Sequence, residues 1–221
     1  MNRTYDLKET MPFLIEAANY SYPTEIMILD YNSQDDLAEY IQEVRRNTVF
    51  MDSSRLSYVK YDKRDYYHMA HARNLSVLAS KGDYVIISCA DIKPVKQYVE
   101  IVREGIEEGC VWLRHRQRFI GVVTVQRKEF MDAGGFDERF EFYGKEDKDI
   151  VLRLERRGAK YKVLPTYLLD LIPTPKADKF KNYRLVLSRG EVNRRSKAIY
   201  EENIANEVLV ANEGKEWGQW E

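Results

Sequence analysis

Short apolar runs that end in polar residues alternate along this chain with segments of helical period, and that alternation restricts the fold more than any single motif. EIMILDYNS, Glu25 to Ser33, reads as a buried strand whose end carries Asp30, Asn32 and Ser33. A helix-period segment follows, with Leu37, Ile41 and Val44 on one face. A second strand, Leu56 to Tyr61, precedes a helix read from Tyr66, with Leu75, Leu78 and Ala79 inward and Gly82 as its stop. DYVIISCADI, Asp83 to Ile92, is the strongest strand pattern and ends in Asp91. Pro94 is expected to start a helix whose Val95, Tyr98, Val99, Val102 and Ile106 share a face. Further strands are expected at Val111 to Arg114, Gly121 to Gln126 and Lys160 to Leu164, and a helix at Leu7 to Asn19, where Pro12 fits only a first turn. The pattern predicts an α/β fold with a mostly parallel central sheet. Such sheets bind ligands beyond the carboxyl ends of their strands, which is where Asp30 and Asp91 both fall.

A chain of 221 residues can bury one large core, with or without an appendage. The formal net charge of −1, with acidic and basic residues interspersed, excludes a general polyanion binder, and no nucleic-acid partner is expected. No apolar run reaches bilayer length and no signal-peptide pattern opens the sequence, so no transmembrane segment and a cytoplasmic location are expected. Cys89 and Cys110 stand far apart without histidines at zinc spacing, which predicts reduced thiols. His68 and His71 have no partner pattern either, and read as structural or surface residues.

The stretch GGFDERFEFYGKEDKDIVLRLERRG, Gly134 to Gly158, sets a glycine-hinged aromatic loop against the acidic start of an amphipathic helix. With a helix from Glu146, Asp147, Val151 and Leu154 lie on one inward face, whereas Asp149 points towards Arg153. Acidic first turns also arise simply because carboxylates complement the helix dipole.

Taken in order, EIMILDYNSQDDL, HMAHARNLSVLASKGDYVIISCADI and the Gly134 to Gly158 block resemble the family 2 glycosyltransferases of the GT-A fold, particularly those with a galactosyltransferase-like carboxyl-terminal region. LLDLIPTPKADKFKNYR looks like a degraded form of that family's following segment. The resemblance covers residues 1–185 and implies a Rossmann-like three-layer sandwich, with residues 186–221 as a helical carboxyl-terminal extension. It implies transfer of a sugar from a nucleotide-sugar donor, a UDP-sugar above all, to a glycan or other hydroxyl acceptor, with inversion. By this likeness Asp147 is the general base, and Arg3, Asp30, Asn32, Arg73 and Asp91 hold the donor. Tyr143, Gly144 and Glu146 border the acceptor, and Asp91 contacts a divalent cation, manganese or magnesium.

The chain also departs from the family pattern. The family's first strand is expected upstream of Asn2, where this sequence has only Met1. The metal motif reads Cys89-Ala90-Asp91, placing a soft thiol where a hard cation favours oxygen, so the cation is expected to be weakly held. The usual downstream histidine is missing, and Asp170 is the residue nearby that could replace it. These departures leave a second reading, a non-catalytic GT-A-like module that binds a nucleotide or sugar. A nucleotidyltransferase would want a basic glycine-rich loop near the start, and none is visible. Donor sugar, acceptor and oligomeric state are not encoded in any motif, and Trp217 and Trp220 read as anchors for a docked tail.

Overall fold

The computed structural model describes residues 1–20, 24–47, 53–173, 181–184 and 187–220. Residues 174–180 of the degraded segment lie outside the described residues.

Helix α1, Thr4–Tyr20, forms because Leu7, Met11, Ile15 and Ala18 recur at helical spacing, and this stripe packs with Leu37, Ile41 and Leu56 in one apolar cluster. Pro12 lies inside α1, not in its first turn. The helix tolerates it because Pro12 and Lys8, whose carbonyl loses its usual donor, are both on the solvent side. Strand β1, Ile26–Tyr31, runs parallel to β2, Leu56–Tyr61, with Ile26 opposite Leu56 and Asp30 opposite Lys60, and α2, Leu37–Arg46, lies between them in the chain. Helix α3, Met69–Ala79, begins three residues later than Tyr66, because the His68 ring accepts the His71 amide and caps it. Its stop is Ser80 in an extended conformation, ahead of Gly82.

The long run at Asp83 to Ile92 is two strands, β3, Tyr84–Ile87, and β4, Ile92–Pro94, with Cys89, Ala90 and Asp91 in the turn between them. Pro94 therefore closes a strand, and α4 starts later, at Tyr98–Glu107. Pairing explains the difference: β4 is held antiparallel to β8, Leu169–Leu171, with Pro94 opposite Leu169. Strands β5, Trp112–Arg114, and β6, Val123–Gln126, with β7, Tyr161–Val163, complete a four-stranded sheet of order β3-β6-β5-β7. β5 and β7 are parallel and β6 is antiparallel to both β3 and β5, so three strands share a direction and β6 alone is reversed. Against this sheet, Phe130 of α5, Arg127–Asp132, and Ile150 and Leu154 of α6, Glu146–Arg156, are fully buried with Trp112, Phe136 and Phe140. Each such side chain contributes roughly 1.5–3 kcal/mol by leaving water. Among the described residues no strand precedes β1, and neither β1 nor β3 has a strand on its second edge.

The carboxyl-terminal part is helix α7, Arg189–Ala205, followed by an irregular strap. Asn203 donates to Asp137 and Asp149, Asn212 donates to the carbonyls of Gly134 and Phe136, and the Gly218 amide donates to Glu138. Trp217 packs on Phe130, as expected of an anchor. No described helix is long and apolar enough to cross a membrane.

Candidate active site

The loop into α6 turns twice through the left-handed region, at Gly144 (φ 108°) and Lys145 (φ 73°), and so delivers the first turn of the helix to Arg73 in the middle of α3. Glu146 is buried: one oxygen accepts the Gly144 amide at 2.8 Å and the other accepts Arg73 Nη1 at 3.4 Å. The expected acceptor-binding Glu146 is thus turned to the protein, supporting the loop and Arg73. Burial pushes its carboxyl pKa up, against the pull of Arg73. Asp147 is half-buried, and its Oδ1 accepts the Lys148 amide at 2.7 Å. Its Oδ2 faces Gly121: a methyl group added there would stand 3.8 Å from that oxygen and 3.1 Å from Arg73 Nη2. A carboxylate and a guanidinium therefore border one space beside Gly121, which a methyl group would narrow.

Arg73 lies over the Phe136 ring, 5.1 Å from its centroid, and its Nη2 reaches Cys89 Sγ at 3.7 Å. Burial would lower its pKa, but Cys89, Glu146, Tyr67 and Asp147 outweigh burial and hold the guanidinium charged. Cys89 is solvent-accessible yet surrounded by protein, as a residue on a cleft floor is. Desolvation raises its pKa, against the pull of Arg73.

Asp91 is engaged by Arg3, whose Nη2 stands 3.4 Å from Oδ2, while Arg3 Nε bonds Asp6. Asp170, the expected replacement ligand, does not join Asp91. It lies opposite Lys93 in the β4–β8 ladder, its side chain is 76% exposed, and its ionic neighbour is Arg118 at 3.8 Å. The antiparallel register sets Asp170 two positions along the ladder from Asp91, whose carbonyl accepts the Ile172 amide. Among the described residues no three His, Cys, Asp or Glu side chains are grouped to hold a metal ion.

Asp30 is also committed internally. Its Oδ1 accepts the Ser33 amide, three residues on, at 2.7 Å, and its Oδ2 accepts the Tyr58 hydroxyl at 2.6 Å. It shapes the floor under Asn32, which lines a pocket of about 360 Å³ with Met1, Asn2, Gln34, Asn182 and Tyr183. Tyr183 packs edge-on to Tyr67 and lies within the field of Glu146 and Arg73, so it connects this pocket to the α6 cluster. Tyr143 is 43% exposed, and burial of its hydroxyl together with Glu146 and Asp147 raises its pKa. Tyr67, Gly121 and Tyr183 were not legible as site residues: each depends on contacts between distant segments, and no spacing rule marks it. A larger pocket, about 520 Å³, lies between the end of α7 and the strap and includes none of the expected site residues.

Residues 109–175 match the sequence model of a family described as the N-terminal domain of galactosyltransferase. No curated protein matches the chain by sequence. Among solved structures, residues 1–349 of S. aureus TarS match at 14% identity and a TM-score of 0.63, covering 93% of this chain and 69% of that one. The same TarS segment in complex with UDP matches at 13% identity over 93% of this chain and 70% of that one, with a TM-score of 0.63. GalNAc-T7 with UDP, GalNAc and Mn2+ matches at 15% identity over 88% of this chain and 47% of that one, with a TM-score of 0.66.

Proposed function

From the GT-A glycosyltransferase fold that the chain shares with these structures, we propose that it transfers a sugar from a UDP-sugar donor to a hydroxyl acceptor with inversion, Asp147 acting as general base. The observation that carries this reading is the space at Gly121, bordered by Asp147 Oδ2 on one side and Arg73 Nη2 on the other. In the reaction, the acceptor oxygen forms a bond to the anomeric carbon while Asp147 takes its proton. The bond from that carbon to the diphosphate oxygen breaks on the opposite face, and the nucleoside diphosphate leaves with the electron pair. With Oδ1 held by the Lys148 amide, Oδ2 is the oxygen presented to the acceptor. General-base assistance of this kind contributes about 10²–10⁴-fold in rate.

The Asn32–Tyr183 pocket supports placement of the nucleoside at the end of β1, with Asp30 holding that loop from below. Tyr143 offers an aromatic face to an acceptor sugar, and Gly144 the loop conformation that presents it. A cytoplasmic location accords with two free cysteines and a nucleotide-sugar donor.

GalNAc-T7 is solved with Mn2+, but the residues present here do not fit such an ion. Cys89 offers a soft sulfur, Asp91 is bonded by Arg3, and Asp170 is exposed beside Arg118, so no step is assigned to a metal. The same features favour the second reading, a nucleotide- or sugar-binding module without turnover. Nucleotide release from a panel of donors separates the two. Wild type is expected to turn over one of them, and Asp147→Asn to lower kcat about 10²–10⁴-fold with UDP affinity retained. Equal absence of turnover in both proteins, with UDP still bound, would establish the binding module.

A further inference from the structure

The turn between β3 and β4 carries a guanidinium at each of its chemically active residues. Arg73 Nη2 stands on Cys89 Sγ and Arg3 Nη2 on Asp91, so two guanidinium groups meet residues only two positions apart in one turn. A hard divalent cation needs several oxygen ligands held together, and this turn supplies one carboxylate already shared with an arginine. Arg73 is in the reverse condition. Its side chain is 9% exposed and carries five N–H donors, yet among the described residues its bonds are two, both long, one of them to a sulfur. A buried guanidinium with donors to spare, fixed by the Phe136 ring, suits an anion with several oxygens.

We propose that Arg73, assisted by Arg3, binds the diphosphate of the donor and neutralises it as it leaves, so that binding and transfer need no divalent cation. This rests on the glycosyltransferase reading for the identity of the anion. As the bond to the anomeric carbon breaks, the negative charge that develops on the departing diphosphate oxygen is met by a permanent positive charge. No proton or metal has to be supplied, and the acceptor's proton goes to Asp147. Glu146 on Nη1 keeps the guanidinium oriented, and Nη2, which meets Cys89 Sγ through one N–H, has its second N–H for a ligand beside Gly121.

The test is calorimetric titration of the full chain with UDP and with inorganic pyrophosphate, in EDTA and in manganese, followed by donor turnover in both. Both ligands are expected to bind in EDTA with affinities within about threefold of those in manganese. Arg73→Gln is expected to weaken both by about tenfold or more, and Arg73→Lys less, because it keeps the charge and loses the fork. UDP binding or turnover that appears only with manganese overturns the proposal, as does undiminished pyrophosphate binding by an Arg73→Gln protein with a native circular dichroism spectrum. Should that variant not fold, the wild-type comparison decides alone. Pyrophosphate bound in EDTA with no UDP binding or donor turnover would remove the glycosyltransferase reading and leave the guanidinium site standing.

Discussion

At Gly121 the consequence of a single methyl group can be stated from distances. Alanine would put a carbon 3.1 Å from Arg73 Nη2 and 3.8 Å from Asp147 Oδ2, inside the space proposed for the reaction. Gly121→Ala is expected to leave the thermal midpoint nearly unchanged and to lower kcat/KM by about 10²-fold, the typical cost of small displacements at a reacting centre. Steady-state kinetics beside a melting curve checks this. His115 is a second informative residue: it is buried against Phe119 and bonds the Tyr98 hydroxyl, and burial lowers its pKa to about 4. Because the folded value is below the unfolded one of 6.5, stability from this group is present above that pH and is lost as pH falls towards 4. His115→Phe is therefore expected to be less stable than wild type at pH 7, with the difference narrowing between about pH 6.5 and 4 in denaturant titrations. Asp147 could be singled out by its place in the motif and Cys89 by its departure from one, since both are local to the sequence. Residue identity could not show that Asp30 and Glu146 spend their oxygens on Ser33, Tyr58, Gly144 and Arg73, since those partners come from other segments.

Helix α6 shows how an element can obey its period and still mislead. The stripe of Val151 and Leu154 is buried as the spacing predicts, but Asp149 and Arg153 are each only 1% exposed, and more deeply placed than Asp147. Arg153 is tolerated there because its guanidinium bonds Asp149 and the carbonyls of Ala133 and Gly135, while Asn203 of α7 satisfies the other oxygen of Asp149. Arg153→Met would leave a buried carboxylate and two carbonyls short of donors, and is expected to cost about 3–5 kcal/mol in urea unfolding. Strands β1 and β2 were legible to within a residue or two because uninterrupted apolar runs admit few other fates. The split of β3 from β4, and the late start of α4 after Pro94, were not, since both follow from pairing with β8, far along the chain.

Over the whole molecule, the strap after α7 is what converts the Gly134–Glu138 hinge into a fixed support. A side-chain carbon at Gly134 would lie 2.0 Å from the Ala211 carbonyl oxygen, and one at Gly135 would lie 2.7 Å from the Trp217 ring. Trp217→Ala is expected to destabilise by about 3 kcal/mol, the lower end for a large aromatic because Trp217 is only partly buried. It should also loosen α6 enough to raise hydrogen exchange in the Phe136 to Glu146 loop, where a purely surface tail would change nothing. The sequence marked Trp217 as an anchor but not its dock, because aromatic character is local and the receiving glycine pair is not. This arrangement also orders events during synthesis. The Glu138 amide waits for Asn212, 74 residues later in the chain, so a ribosome adding about 5–20 residues per second leaves the loop before α6 unfastened for roughly 4–15 s. During that interval α6 and the loop before it lack the support that the strap later supplies.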